Sequence, residues 1–365
     1  MKATARSLQP HHSTIGSSAE VLARDEIHGG NTTSPTMNIT VILCTYNRCQ
    51  SLARTLDSVS EQTLPESVAW EVLVVDNNSC DGTREVVEDF CNRYPSRFRY
   101  LFVPQQGKSH ALNAGIREAH SDVLAFLDDD VTVGPTWLNS LTAPLENDQW
   151  VGAGGRVLPV WTGPPPRWLP AKEKYGLGPL VVFDLGPEAG ELGESPFGTN
   201  MAFRKEMFEK YGGFRTDLGP RPGSEVRNED SDFGRRLLTA GERLRYEPSA
   251  VVYHPVPENR VRKEYFLAWW FDKGRADIRQ LGPSPDTKWY VAGIPLGQFR
   301  RLAVWTLRWM FSVEPCLRFS RKLNVWSKAG EILESYRYSI DAKRPPQPGE
   351  SKAPQRILWP TDEPR

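Results

Sequence analysis

The chain has 365 residues, of which 45 are basic and 45 acidic, so its formal net charge is zero. A neutral chain of this length gives no general electrostatic reason to bind nucleic acid, and it suits one large α/β domain with an appendage or two modest domains. The five cysteines are odd in number and show no C-x-x-C spacing, which argues against a disulfide framework or a structural zinc site and favours a reducing cytoplasm.

The composition of the chain changes at three points. Residues 1–37 are polar and lack an apolar signal core, and residues 341–365 are polar and rich in proline, so we expect a disordered leader and a disordered tail, respectively. Between them, residues 38–255 alternate between strand and helix patterns, and residues 256–340 are helical. No uncharged apolar stretch reaches the roughly 18 residues that suggest a bilayer span, so we expect a soluble or peripheral protein.

The alternation begins at Asn38 and predicts an α/β fold. In chain order the predicted elements are a strand at 39–43, a helix at 51–61, a strand at 70–75, a helix at 83–93, a strand at 98–103, a helix at 110–119 and a strand at 122–127. Near-continuous apolar strands separated by helices are typical of a mostly parallel sheet covered on both faces.

Two stretches rich in proline and glycine interrupt this pattern. The first, from Trp161 to Phe197, is unsuited to a long helix and is expected to wrap the sheet or to line its cleft. The second, from Gly219 to Gly223, comes shortly before Glu229 and Asp230, so we expect a mobile loop beside these acids.

Short polar clusters follow three of the predicted strands, at Thr45–Arg48, Asp76–Ser79 and Asp128–Asp130. The carboxyl ends of parallel strands share one edge of the sheet, where ligands bind, so the three clusters are expected to converge on one site. Three consecutive carboxylates near a core are unfavourable unless a cation offsets their charge. The third cluster therefore predicts a site for a divalent cation such as Mg²⁺ or Mn²⁺.

If the strand continued through Asp130, Asp128 and Asp130 would point to one side and Asp129 to the other. The alternative to a metal site is that Asp128–Asp130 form a solvated loop. Further along, Lys108 follows a glycine and has the charge to neutralise a phosphate, or it lies in solvent at an ordinary helix start. Glu229 and Asp230 gain from the helix macrodipole at a helix start, and a carboxylate there can also act as a general base.

The motifs occur in a fixed order: a strand followed by T-Y-N-R, then D-N-N-S-x-D-G-T, G-K-S-H-A-L-N-A-G, D-D-D, G-x-N-M-A-F-R, G-G-F and E-D-x-D. As an ordered set from Asn38 to about His254 they resemble glycosyltransferase family 2. The resemblance implies the GT-A fold, a Rossmann-like, mostly parallel sheet flanked by helices, for residues 38–255, with a C-terminal helical extension. It also implies a nucleotide-sugar donor, a saccharide or lipid-linked acceptor, and Mn²⁺ or Mg²⁺ as cofactor.

The resemblance assigns roles by position. The residues that match the nucleotide-binding motifs are Thr45, Tyr46, Asn47, Arg48, Asp76, Lys108, Asn113, Asp128 and Asp129. Among them, Asp76 would bind a uracil ring, which implies a UDP-linked donor. Gly198–Met201 resembles the family's acceptor-side segment.

The metal and catalytic roles are implied in the same way. Asp130 would ligate the metal that bridges the diphosphate, and Asp128 would contact the ribose or the metal sphere. His254 resembles a histidine that ligates metal in some GT-A enzymes, although a structural strand-end histidine is the alternative. Asp230, with Glu229 beside it, matches the general base of an inverting transfer.

Two other functions stay open on the sequence. A sugar-1-phosphate nucleotidyltransferase would carry a G-x-G-T-R-type loop after its first strand, where this chain has Cys44-Thr45-Tyr46-Asn47. A catalytically silent carbohydrate-binding protein would have little need for the triple Asp and the Glu-Asp pair. A dinucleotide-binding dehydrogenase is excluded because no G-x-G-x-x-G follows a strand.

The helical extension is strongly basic between Gly297 and Lys328, and apolar residues recur there at helical spacing. They are Phe299, Leu302, Ala303, Thr306, Leu307, Met310 and Phe311, and Trp305 and Trp309 lie nearby. This stripe either packs on the catalytic domain or lies on an anionic membrane surface. The expected location is therefore the cytoplasm, or the inner face of the cell membrane for a lipid-linked acceptor.

Overall fold

The structure is a computed structural model that describes residues 37–171, 176–224, 226–283 and 289–343, with side chains through residue 340. The predicted leader lies outside the described residues except for Met37, which begins the first strand. The predicted tail also lies outside them, except that the backbone of the last helix continues to Lys343.

The described strands are β1 (Met37–Thr45), β2 (Val68–Asp76), β3 (Phe98–Phe102), β4 (Val123–Asp128), β5 (Thr132–Val133), β6 (Gly152–Trp161), β7 (Gly190–Leu192), β8 (Asn200–Arg204), β9 (Leu244–Val256), β10 (Tyr290–Val291) and β11 (Ile294–Pro295). The described α-helices are α1 (Cys49–Ser60), α2 (Thr83–Arg93), α3 (Lys108–Glu118), α4 (Trp137–Thr142), α5 (Glu206–Tyr211), α6 (Glu229–Thr239), α7 (Lys263–Leu281), α8 (Leu296–Met310) and α9 (Pro315–Lys343). Single turns of 3₁₀ helix occupy Ala143–Glu146, Gly178–Leu180 and Glu258–Arg260.

The large sheet has the strand order β3-β2-β1-β4-β8-β6-β9-β5, and β7 pairs with β9. The first four of these strands are parallel, whereas β8 runs antiparallel to both β4 and β6. The predicted α/β fold is confirmed, and each predicted strand or helix up to β4 is present within a few residues of its expected bounds. The parallel half carries all three strand-end clusters, while the second half is mixed.

The parallel half is buried on both faces, as its continuous apolar strands predict. Ile42 and Leu43 point to opposite faces of β1 and are both fully buried. Ile42 packs against α3 at Gly115, where an added Cβ would come within 2.8 Å of it. Each such side chain stabilises the fold by roughly 1.5–3 kcal/mol, which fixes the position of the strand ends that carry the polar clusters.

The segment from Trp161 to Phe197 fills the space between the sheet and the C-terminal helices. Leu169 and Leu180 form an apolar cluster with Phe266 of α7 and Phe319 of α9. The short 3₁₀ turn at Gly178–Leu180 agrees with the expectation that this segment contains no long helix. It packs between the end of β9 and the helical extension.

Helices α7 and α9 cross at two glycines. A Cβ on Gly274 would collide with the carbonyl oxygen of Ser327, and a Cβ on Gly330 would collide with that of Phe271. The pair is also linked by ionic hydrogen bonds: Arg275 and Arg279 of α7 donate to Glu334 of α9 at 3.1 and 2.5 Å. Among the described helices, none has the length and apolar character needed to span a bilayer.

Candidate active site

The strand-end clusters meet at one edge of the sheet, as the sequence predicts. In the parallel register Thr45 lies opposite Asp76, and Cys44 lies opposite Asp128. Because β1 is central, the clusters that follow β2 and β4 lie on either side of the one that follows β1. This edge is therefore where a ligand would meet all three clusters.

The three aspartates after β4 divide into two groups. β4 ends at Asp128, and the next two residues form a turn, so the strict alternation expected for an extended strand is wrong. The Arg48 guanidinium binds both Asp129 (2.9 Å) and Asp130 (2.7 Å), whereas the Lys108 ammonium binds Asp128 at 2.7 Å. Each carboxylate thus has a basic partner.

The pKa values of Asp128 and Asp129 shift in opposite directions. Burial alone would raise the pKa of Asp128, but the Lys108 ammonium, together with His254 and Arg48, holds that pKa below its usual value. Burial raises the pKa of Asp129 to about 6, with the Asp130 charge adding to the rise and Arg48 opposing it. Asp128 is therefore the more strongly ionised of the two at neutral pH.

A second arginine reaches the cluster from the far side of the sheet. His254, near the end of β9, places Nε2 3.6 Å from an oxygen of Asp130, and Arg260 lies 3.6 Å from the other oxygen. Arg260 also approaches His254 Nε2, at 3.5 Å. The sequence prediction missed Arg260, because nothing in its local pattern separates it from other surface arginines.

Two of the predicted metal ligands lie close together. Asp130 and His254 are close enough to contact one divalent ion, and burial lowers the pKa of His254, which favours the neutral imidazole that binds metals. Within the described ranges, no three His, Cys, Asp or Glu side chains group closely enough to hold an ion by themselves. A carboxylate and a neutral imidazole fit a divalent ion, and an ion held by Asp130 and His254 would take its further ligands from a diphosphate or from water.

Asp76 is 2% exposed and already accepts two hydrogen bonds. One oxygen accepts from the Ser79 N–H at 2.9 Å, and the other accepts from the Tyr100 hydroxyl at 2.7 Å. Burial and the neighbouring Asp76 carboxylate raise the pKa of Tyr100, so its hydroxyl remains a donor. Each carboxylate oxygen keeps a second acceptor position, which leaves Asp76 able to bind a further N–H.

Two asparagines hold the loops at this edge through side-chain hydrogen bonds. Asn47, at φ 51°, accepts a hydrogen bond from the Cys80 N–H through its side chain, which ties the first cluster to the second. The Asn77 amide donates to the Gln105 carbonyl and accepts from the Gly107 N–H, which holds the loop before Lys108. The side-chain oxygen of Asn47 thus has a structural partner.

The remaining residues of the T-Y-N-R motif differ in exposure. Thr45 is buried at the end of β1, and Tyr46 is 40% exposed and available to a base. Arg48, as described above, is directed at the acid cluster. The motif thus places an exposed aromatic ring and an arginine at this edge, and its predicted nucleotide role stays a prediction.

Glu229 connects the start of α6 to the strand-end clusters. Its carboxylate lies 3.8 Å from the Lys108 ammonium, which thus lies between Glu229 and Asp128. Burial and the neighbouring Asp230 charge raise the pKa of Glu229 to about 7. The structure brings the predicted acid pair to the same edge as the strand-end clusters.

Asp230 is held by backbone and hydroxyl groups. One carboxylate oxygen accepts from the Gly198 N–H at 2.8 Å, and the other accepts from the Ser231 N–H at 2.6 Å. An added Cβ on Gly198 would lie 3.0 Å from Asp230 Oδ2, so only glycine lets this backbone approach closely without a shift. The predicted acceptor-side segment is thus tied to the predicted base.

Asn113 and Asn200 have structural partners that the sequence prediction did not foresee. Both ends of the Asn113 amide bond to the backbone of Phe214, at 2.7 and 2.8 Å, which holds the G-G-F loop, and the predicted nucleotide role of Asn113 stays a prediction. Asn200, inside the acceptor-side motif, is fully buried and bonds to Trp137 and to two carbonyl groups.

The glycine-rich loop before α6 packs against the start of α3. Gly219 has φ +91°, and an added Cβ would meet the Ser109 hydroxyl and approach Glu229. Arg221 and Ser224 pair with each other through their backbones, and the Lys108 N–H donates to the Pro220 carbonyl. The loop lies beside the acids, as predicted. Its mobility stays a prediction.

Comparisons with known proteins agree with this arrangement. Residues 40–212 match the family model described as glycosyl transferase family 2. The succinoglycan biosynthesis protein ExoM of Rhizobium meliloti (strain 1021) is 33% identical over 250 residues, which cover 67% of this chain and 76% of that protein. The glucosyl-dolichyl phosphate glucuronosyltransferase of Haloferax volcanii is 28% identical over 268 residues, 71% of this chain and 84% of that protein.

A solved structure supports the fold. GalNAc-T7 with UDP, GalNAc and Mn²⁺ superposes with a TM-score of 0.52 at 14% identity, over 84% of this chain and 56% of that chain. The central sheet flanked by helices, with acids at the carboxyl ends of its parallel strands, defines a GT-A glycosyltransferase. The chain belongs to glycosyltransferase family 2.

Proposed function

We propose that this enzyme transfers a sugar from a UDP-linked donor to a hydroxyl group of a polysaccharide or lipid-linked intermediate, with inversion at the anomeric carbon. The main support for this proposal is the position of the Lys108 ammonium. It contacts Asp128 of the strand-end cluster and lies 3.8 Å from Glu229, the neighbour of Asp230. One cationic group thus links the residues proposed to bind the diphosphate with those proposed to move the proton.

The donor half of the site would bind the nucleotide through Asp76 and the basic residues. Asp76 would accept the imide N–H of uracil with its remaining acceptor positions while Tyr100 and Ser79 hold its orientation. Arg48, Lys108 and Arg260 already bind or approach carboxylates in this region, and they offer the charge that a diphosphate needs.

The acceptor proton would go to Asp230. Its two oxygens are oriented by the Gly198 and Ser231 N–H groups, so the carboxylate needs little reorganisation to accept a proton from the attacking hydroxyl. A single base on the face opposite the departing diphosphate suffices for direct displacement, and such a displacement inverts the anomeric carbon. The same reasoning applies to inverting glycosidases.

A divalent ion, held by Asp130 and His254, would neutralise the charge that develops on the departing diphosphate. The mixture of imidazole and carboxylate suits Mn²⁺ better than Mg²⁺, which prefers oxygen ligands and its own waters. We propose Mn²⁺ as the better cofactor.

The relatives support the proposed acceptor class. One is named for succinoglycan biosynthesis and the other for transfer onto a glucosyl-dolichyl phosphate, so a polysaccharide and a lipid-linked glycan are both represented. We propose residues 38–255 as the catalytic domain and residues 256–340 as the extension. A lipid-linked acceptor would place the enzyme in the cytoplasm at the inner face of the membrane.

The test is a panel of nucleotide sugars incubated with Mn²⁺ or Mg²⁺ and the full-length chain. We expect UDP release from one UDP-sugar, faster with Mn²⁺. Proton NMR of the glycoside product should show the anomeric configuration opposite to that of the donor. Pyrophosphate release would instead support a nucleotidyltransferase, and a product with the donor's configuration would contradict the inverting mechanism.

An Asp76→Ala variant tests the nucleotide assignment separately. We expect UDP affinity to fall by about 10-fold to 100-fold, because a buried hydrogen bond to a charged acceptor contributes about 1.5–3 kcal/mol. Calorimetric titration with UDP and GDP measures the change. Equal affinity of the native enzyme for both nucleotides would contradict the role given to Asp76.

A further inference from the structure

Helix α8 exposes one apolar face. Leu307 is 54% exposed, Met310 61%, Phe311 78% and, just beyond the helix, Val313 94%. Leu296 and Val304 lie on the same side of the helix and are also exposed. A contiguous patch of large apolar side chains on a soluble domain marks an interaction surface. We call these six residues the α8 face.

The opposite side of α8 is already occupied. The Gln298 side chain is buried and donates to the Ser335 hydroxyl of α9 at 2.8 Å, and the Trp309 and Trp326 rings meet edge to face. The apolar stripe expected from the sequence is therefore divided, because Phe299, Leu302 and Thr306 are half-buried while the α8 face remains exposed. The alternative in which the whole stripe packs on the catalytic domain does not hold.

The charge around the α8 face has one sign. No Asp or Glu occurs from Leu296 to Val313, and Arg300 and Arg308 are exposed beside the apolar residues. The nearest acid in sequence, Glu314, has both carboxylate oxygens engaged by the first backbone N–H groups of α9. Arg300 projects from within the apolar arc and Arg308 from its margin, because they lie about 40° and 120° around the helix from Leu296.

We propose that the α8 face docks on a membrane surface rich in anionic lipid. An amphipathic helix of this kind lies in the plane of the interface, with its apolar side chains about 5–10 Å into the headgroup and acyl boundary and its arginines among the phosphates. A second copy of this chain is a poorer occupant, because a self-complementary contact would bring the arginines of two copies together.

Helix α9, which contacts the inner side of α8, is linked to α7 through packed aromatic residues. Phe319, in the first turns of α9, meets the Trp168 ring at 5.0 Å, and Trp168 meets Phe266 of α7 at 5.3 Å. α7 begins three residues after Arg260, which approaches Asp130. Docking through α8 would therefore bring the membrane surface to the packed helices α7, α8 and α9, and α7 begins next to the acid cluster.

The test measures binding of the full-length chain to vesicles by co-sedimentation, with phosphatidylcholine alone or mixed with phosphatidylglycerol. We expect binding to the anionic vesicles that weakens as salt is raised. The triple variant Leu307→Ser, Met310→Ser, Phe311→Ser should lower the partition coefficient by about tenfold or more, because three apolar anchors are lost. Arg300→Gln and Arg308→Gln should each lower it by about fivefold, in anionic vesicles only.

Matched controls come from other surfaces of the chain. Leu185→Ser removes an apolar side chain that is 47% exposed, and Lys210→Gln removes one exposed positive charge. Neither should change vesicle binding. Thermal unfolding followed by circular dichroism checks that the variants are folded. Should the triple variant misfold, the single Phe311→Ser variant replaces it, with an expected loss of about threefold to tenfold.

Three outcomes would overturn the proposal. The first is a native chain that binds neither type of vesicle. The second is a folded triple variant that binds as tightly as the native chain. The third is sedimentation showing a dimer that the triple variant converts to a monomer, with no vesicle binding, since the α8 face would then be an interface between copies.

Discussion

The carboxylates at the carboxyl end of β4 and Asp230 at the start of α6 reach the same edge of the sheet, yet they are held by different kinds of partner. Asp128 and Asp130 bind the side chains of Lys108 and Arg48, at 2.7 Å in each case. Asp230 instead accepts hydrogen bonds from the backbone N–H groups of Gly198 and Ser231.

This difference separates binding from proton transfer. Long basic side chains can leave a carboxylate and turn to a phosphate, so the cluster after β4 is suited to exchanging partners when a donor and a metal ion arrive. Backbone N–H groups of fixed position orient a carboxylate without supplying a mobile charge. Asp230 is thus held in one direction, as a general base requires.

Asp230→Asn should have the largest effect of the variants proposed. Transfer should fall by about 10³-fold, because the amide has no basic oxygen to accept the proton, while donor affinity stays within about twofold. Rates of UDP release and calorimetric titration with UDP measure the two quantities. Asp57→Asn, an exposed carboxylate on α1, is the control. Parallel loss of transfer and donor binding would refute the separation.

Asp130→Asn should mainly change the Mn²⁺ requirement, with a smaller effect on the rate of transfer. The Mn²⁺ concentration needed for half-maximal activity should rise by about tenfold or more, because one proposed ligand loses its charge. A Mn²⁺ titration of UDP release measures the change, with Asp57→Asn as the control variant that leaves the midpoint unaltered. An unchanged midpoint in Asp130→Asn would remove Asp130 from the metal site.

Gly198→Ala tests the backbone hold on Asp230 and should have a moderate effect. The added Cβ would lie 3.0 Å from Asp230 Oδ2 and push the carboxylate out of line. We expect turnover to fall by about tenfold while KM for the donor and the melting temperature stay nearly constant. Equal turnover in the variant would mean that the direction of Asp230 does not limit the reaction. Gly163→Ala, with open space around its Cβ, is the control.

The last expected effect is on stability and leaves the separation of roles untouched; it concerns Glu229, whose pKa of about 7 lies above the ordinary 4.5. The folded state binds this proton more tightly than the unfolded state, so the stabilisation is present below about pH 4.5 and is lost as pH rises through about 7. The free energy of unfolding of the native chain, relative to Glu229→Gln, should therefore fall over this range by a few kcal/mol at most. Urea unfolding at several pH values measures it. A difference that does not change with pH would contradict the assignment.

Much of the parallel half could be predicted from the sequence. Continuous apolar runs identify β1, β2 and β4, and the rule that parallel strands share their carboxyl edge brings Asp76 and Asp128 together. The ordered motifs then indicate the family. The apolar runs and the motifs each span only a few neighbouring residues, so they can be recognised in a single sequence.

The partners of each acid were beyond this kind of reasoning. Whether Arg48 binds Asp129 and Asp130 depends on the turn after β4, which an extended-strand assumption misses. Asn113 has the position of a ligand-binding residue in its motif, but its two bonds go to Phe214, 101 residues along the chain. Contacts at such separation are set by the whole fold and leave no trace in local periodicity.

The two glycines at the crossing of α7 and α9 limit how the extension could be re-engineered. Each faces a carbonyl oxygen of the opposite helix so closely that even a methyl group has no place, so a library that randomised these helices should recover Gly274 and Gly330 in nearly every folded member. Residues on the outer surface of α8 face no such limit. The outer surface of α8 should therefore tolerate substitution without loss of the fold, whereas the crossing of α7 and α9 should not.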